Sequence, residues 1–135
     1  MMTPQSLQSA ITEFFAPWVQ AMGLEVLETR SQSVTLRLPN TSALTRTGNM
    51  VCCQAMMAAA DTAMALAVFN HFGQFTPCTT VQMSSSFLKP LITDDGVLTA
   101  TVVRAGKSLV FGEVDLCNAV DGKSVFRTSL TYALA

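Results

Sequence analysis

The sequence predicts an α+β fold: a curved antiparallel β-sheet wrapped around a long central helix, with an extra helix at the N-terminus. Three observations predict it. Residues 51–69 form a long apolar run rich in Ala and Met, which favour helix over strand. Shorter segments on either side alternate apolar and polar residues, the period of half-buried strands. The first 22 residues instead place apolar side chains three and four apart. The length of 135 residues suits one domain spanning 1–135. Half of the residues are hydrophobic and only 13% are charged. That composition excludes disorder and exceeds what a solitary domain of this size usually buries, so a homo-oligomer, dimer or dimer of dimers, is expected.

Each element follows in order. Leu7, Ile11, Phe14, Phe15, Trp18, Val19 and Met22 make one face of an amphipathic helix over residues 4–22, ended by Gly23. Residues 24–30 and 33–38 read as a hairpin turned at Ser31-Gln32, with Val34, Leu36 and Leu38 on one face and Thr35 and Arg37 on the other. Pro39-Asn40 stops it, and residues 40–50 read as a polar loop. After the central helix, closed by Asn70-His71-Phe72-Gly73, four strands are expected over 79–88, 96–104, 108–117 and 124–134. Asp121-Gly122 is a hairpin signal between the last two.

About 20 apolar residues can span a bilayer, so the length of the central run raises that question. Asp61 answers it, because an ionisable side chain near the middle of a lone span costs at least ~2.5 kcal/mol. No basic flanks are present, and strands of soluble-type alternation follow directly. The run therefore reads as a helix buried by the sheet, with no membrane insertion.

Eight Lys+Arg against nine Asp+Glu give a formal net charge of −1. No basic field exists to hold a nucleic-acid backbone. Cys52 and Cys53 are adjacent, Cys78 and Cys117 lack framework spacing, and His71 is the single histidine. A zinc site or disulfide framework is thus not expected, and neither is a metal or another cofactor. Reduced, buried thiols and the absence of an export signal at the N-terminus point to the cytoplasm.

Asp61 is the residue that composition does not explain, since a lone carboxylate in an apolar helix needs a partner or a purpose. At 100° per residue, Gln54 and Asp61 lie about 20° apart on one face. Met57, Ala58, Met64 and Ala65 flank them. A helix N-terminus near Val51 also offers free backbone N–H groups about two turns before Asp61. A carboxylate with such donors nearby can perform acyl transfer: one attacks or activates water, the others hold the developing oxyanion. The structural alternative is that Asp61 pairs with Thr62, a Ser or an Arg from the sheet. Cys52 and Cys53 suggest thiol catalysis but lack an evident base. His71 lies about 15 Å along the helix from Asp61 and reads as a C-terminal cap or surface residue.

Three blocks then carry a resemblance: Ala58-Ala59-Ala60-Asp61-Thr62-Ala63, the run from Thr80 to Phe87-Leu88-Lys89-Pro90, and Arg104-Ala105-Gly106-Lys107-Ser108. In this order they resemble the hotdog-fold acyl-CoA thioesterases of the phenylacetate-degradation type, within the 4-hydroxybenzoyl-CoA thioesterase superfamily. The resemblance covers roughly residues 20–134. It implies the hotdog fold, hydrolysis of an acyl-CoA thioester, and a site built across a subunit interface. It further implies Asp61 as catalytic nucleophile or general base, with the backbone N–H of Cys53 polarising the thioester carbonyl. Gln54 would orient the carbonyl or the water. Lys89, Arg104 and Lys107 would meet coenzyme A phosphates. Met56, Met57, Met64, Met83 and Phe87 are the candidates for an adaptable acyl pocket, unless they are core, and Thr62 is a further substrate-binding candidate. Relatives usually carry His-Gly-Gly where this chain has Cys52-Cys53-Gln54, and the bulkier side chains narrow the approach of a thioester to the helix. That departure keeps a non-catalytic acyl-CoA-binding or regulatory protein as the alternative. A hotdog dehydratase ranks lower, because such enzymes generally pair an acid with a histidine.

Overall fold

Proline decides how the N-terminal helix is divided. A computed structural model describes residues 1–135, and in it the expected single helix is two: α1 (Pro4–Phe14) and α2 (Pro17–Gln20). Pro17 lacks the N–H that would continue α1, and Ala16 before it is held extended at ψ 149°. Thr3 caps α1 with a reciprocal Thr3–Ser6 box. Gly23 then turns the chain at φ +76°.

The hairpin follows as β1 (Glu25–Thr29) and β2 (Ser33–Leu38). Val34, Leu36 and Leu38 are all fully buried, as their alternation requires. The segment read as loop contains a single 3₁₀ turn, Ser42–Leu44, and a short hairpin of β3 (Thr45–Arg46) and β4 (Met50–Val51). Then come α3 (Cys53–Phe72), β5 (Cys78–Phe87), β6 (Gly96–Ala105), β7 (Leu109–Asn118) and β8 (Ser124–Leu134). The main sheet has six antiparallel strands in the order β1-β2-β6-β7-β8-β5. The predicted hotdog architecture is observed.

Helix α3 lies chiefly across β6, β2 and β7. From Thr62 to Asn70 every residue is buried, and each Leu, Val or Phe so covered contributes roughly 1.5–3 kcal/mol. Gly73 ends the helix in the left-handed conformation at φ +77°. No helix is long and apolar enough to cross a membrane. One expectation needs correcting, for α3 is not covered on every side. Its first half leaves a stripe of Cys53, Gln54, Met57, Ala58 and Asp61 exposed or half-buried. The sheet sheathes one face only, and Phe15 packs on the helix near its far end, against Phe69. The cysteines differ too: all four are free, but Cys53 is exposed and the others are half-buried.

Close approach of helix and sheet is set at Gly112 of β7. A Cβ there would stand 2.3 Å from the Met64 thioether and 2.9 Å from the Thr101 carbonyl oxygen. Gly112→Ala is expected to lower stability by about 1–3 kcal/mol through overpacking, measured by chemical denaturation.

Candidate active site

Three elements converge on Asp61. It sits midway along α3, where the open stripe meets the buried half. Its Oδ1 accepts a hydrogen bond from Thr80 Oγ1 at 2.6 Å and another from Tyr132 Oη at 2.5 Å. Thr80 and Tyr132 are direct register partners on β5 and β8, so their side chains reach the same point from adjacent strands. A bulge at Val81 shifts the register just beyond Thr80. The inward positions of β5 therefore change from Cys78 and Thr80 to Met83 and Ser85.

The second carboxylate oxygen is different. Asp61 Oδ2 makes no hydrogen bond within the chain, and no buried side-chain oxygen or nitrogen lacks a partner. Oδ2 is thus not a buried atom, and Asp61 lines a cleft. That cleft has a volume of about 410 Å³ and is walled by Phe14, Phe15, Ala65, Phe69, Phe75, Cys78, Thr80 and Tyr132. Phe14 of α1 stacks on Phe75 of the α3–β5 loop at 3.9 Å between centroids, and Phe69 meets Phe75 edge-on at 5.2 Å. A carboxylate with one tethered oxygen faces an aromatic wall.

Burial, with the Asp61 carboxylate adding to it, pushes the Cys78 thiol up from its ordinary value. Cys78 accordingly stays a protonated thiol and is a poor nucleophile. Burial and the same carboxylate push the Tyr132 phenol far above its usual range. Tyr132 therefore remains a donor at any working pH.

A separate cavity of about 370 Å³ lies at the start of α3, lined by Arg46, Met50, Val51, Cys53, Met56, Phe87, Leu88, Lys89 and Pro90. Cys53 is the first residue of the helix, and its N–H has no acceptor in the chain. The eight residues from Cys53 to Asp61 rise about 12 Å.

The residues singled out in the sequence thus divide. Asp61 lines one cleft, while Cys53, Phe87 and Lys89 line the other. Gln54 and Met57 stand on the open stripe of α3. Met64 is fully buried against Gly112, and buried Thr62 donates to the Ala58 carbonyl, so both belong to the core. Arg104 and Lys107 are exposed at the β6–β7 turn and line neither cavity. His71 is half-buried in the last turn of α3, edge-on to Phe72. Sequence reasoning missed Thr80 and Tyr132 as the partners of Asp61, and the four phenylalanines as its wall. The available signal was a hydroxyl at an inward position of the last strand, where Phe126, Thr128, Leu130 and Tyr132 alternate.

Comparison with known proteins supplies the family. The model of the thioesterase superfamily matches residues 55–125, just over half of the chain. The chain belongs to the thioesterase superfamily. No curated protein sequence matches it. Among solved structures, a thioesterase from Haemophilus influenzae superposes with a TM-score of 0.89 at 15% identity, covering 100% of this chain and 92% of the other. Zebrafish thioesterase superfamily member 2 gives 0.85 at 22% identity, covering 98% and 95%. The PaaI protein of the Escherichia coli phenylacetic acid degradation operon gives 0.84 at 17%, covering 98% and 93%. These likenesses establish the shared fold, and the family makes this thioesterase a thioester hydrolase.

The thioesterase has a single tyrosine, so its phenol can be titrated by absorbance without interference. Native protein is expected to show no tyrosinate at pH values where an ordinary phenol, near about 10, has ionised. The folded state holds that proton and the unfolded state loses it. Stability is therefore full below about pH 10 and falls as the pH rises beyond it, which alkaline denaturation curves measure.

Proposed function

We propose that this thioesterase hydrolyses acyl-CoA to the free acid and coenzyme A, with Asp61 as the catalytic carboxylate. The observation that carries the reading is the Asp61 carboxylate lining an aromatic-walled cleft, with Oδ1 tethered and Oδ2 free of any partner in the chain. Oδ2 either attacks the thioester carbon, giving an acyl anhydride that water cleaves, or takes a proton from the water that attacks. In either case the C–S bond breaks and the CoA thiolate leaves, taking up a proton. The aromatic wall accepts the apolar acyl group and keeps bulk water away from it.

An oxyanion donor is also needed, and the free N–H of Cys53 is suited to that role. Within one chain it lies about 12 Å from Asp61, too far for both to act on one carbonyl. The reading therefore requires a second copy, whose α3 N-terminus faces the Asp61 cleft. Two features support a homodimer. The stripe from Cys53 to Asp61 is left open along α3. In addition, β5 is a ten-residue edge strand without a charged residue, the kind of edge that pairs with another chain unless it is covered. Lys89 and Arg46, beside Cys53, suit the CoA phosphates better than Arg104 and Lys107 at the distant turn.

The roles separate by substitution. Asp61→Asn is expected to lower thiol release from acyl-CoA by at least about a hundredfold. Cys53→Ala should leave most activity, whereas Cys53→Pro, which removes the N–H as well as the thiol at a helix position that tolerates proline, should cost about a hundredfold or more. Refolding the two inactive variants together tests the shared site. In a mixed dimer one site carries both defects and the other carries neither, so about a quarter of wild-type activity should return. No recovery would place both groups in one chain's site and overturn the shared arrangement.

A further inference from the structure

The sole tyrosine of the chain stands where it can decide which oxygen of Asp61 reacts. Tyr132 is only 2% exposed, and its hydroxyl lies 2.5 Å from Asp61 Oδ1 and 2.5 Å from the Asp61 main-chain carbonyl oxygen. One phenol thus spans the side chain and backbone of the same helical residue. Its single proton goes to the charged oxygen, the stronger acceptor. With Thr80 on the same Oδ1, both lone pairs of that oxygen are engaged. Oδ2 keeps both of its own and is not buried.

We propose that Tyr132 is a positioning residue of the thioesterase site: by occupying Oδ1 and fixing the Asp61 rotamer, it makes Oδ2 the oxygen that meets the thioester carbon or its attacking water. This rests on the reading of Asp61 as the catalytic carboxylate. A neutral carbonyl within reach would satisfy a buried phenol, yet this one has a carboxylate oxygen at the same distance and gives its single proton there. Thr80 holds Oδ1 from β5, and the buried ring of Tyr132 fixes it from a second strand.

Tyr132→Phe removes the hydroxyl and keeps the ring. With acyl-CoA as substrate, kcat is expected to fall about tenfold or more while KM stays within about twofold, since the acyl wall is untouched. A folded Tyr132→Phe protein with wild-type kcat overturns the proposal. Asp61→Asn, assayed beside it, separates the two readings. Full activity in Asp61→Asn would remove the catalytic assignment and the proposal together. Loss of activity in Asp61→Asn with none in Tyr132→Phe removes the positioning role alone. A second measurement needs no substitution at Tyr132. Protein grown on 3-fluorotyrosine carries one fluorine environment, at this residue. Its fluorine resonance is expected to move in Asp61→Asn relative to the wild-type protein, because the phenol then faces an amide in place of the charged oxygen. A resonance unchanged in Asp61→Asn overturns the proposal.

Discussion

Helix α3 has no stripe polar enough to face water along its second half, and covering it is the requirement from which the rest of the structure follows. The sheet curves to sheathe it, Gly112 lets β7 approach Met64, and Phe15 of the N-terminal segment packs near its end on Phe69. Once α3 is seated, Asp61 falls at the boundary between the sheathed and open halves. A carboxylate placed one turn further along would sit among fully buried Ala63, Met64 and Leu66, where its charge would be expensive. One placed a turn earlier would be on the open stripe, without the hydroxyls of β5 and β8. The position satisfies both conditions: a dry anchor for one oxygen and access for the other.

The distribution of chemistry along α3 bears on why such a chain would associate. Its free N-terminal N–H and its carboxylate are separated by the rise of eight residues, and Cys53 and Asp61 line two different clefts of one chain. In the proposed mechanism two copies bring unlike ends together, and each dimer would contain two equivalent sites. The uncharged edge of β5 and the open half of α3 lie on adjoining elements of the fold. The hydrophobic surplus of the composition then has two destinations, the helix–sheet core and the surface a second copy would cover.

The sequence made most of the fold legible because the fold is written in periodicity. The alternation of Val34, Leu36 and Leu38, the Ala- and Met-rich run around Asp61 and the Asp121-Gly122 turn each act locally, and all appear where the spacing places them. The departures are local as well. Pro17 splits the first helix, and the loop over residues 40–50 gains a small hairpin that no periodic signal announces. The site was legible only in part. Asp61 stands out because a carboxylate is unusual in such a helix, but Thr80 and Tyr132 are 19 and 71 residues away from it. Methionines at helical spacing suggested an acyl pocket, yet Met64 is core, and the cleft wall comes from phenylalanines of separate elements.

What the sequence determined by itself was therefore the principal helix and strands, their order and the one carboxylate without a surface reason. These depend on near-neighbour spacing, which a single chain displays directly. Tertiary structure decided which oxygen of that carboxylate is held. That depends on strand register: a bulge at Val81 and the pairing of Thr80 with Tyr132 bring two hydroxyls to one point, and a shift of one residue would turn both away.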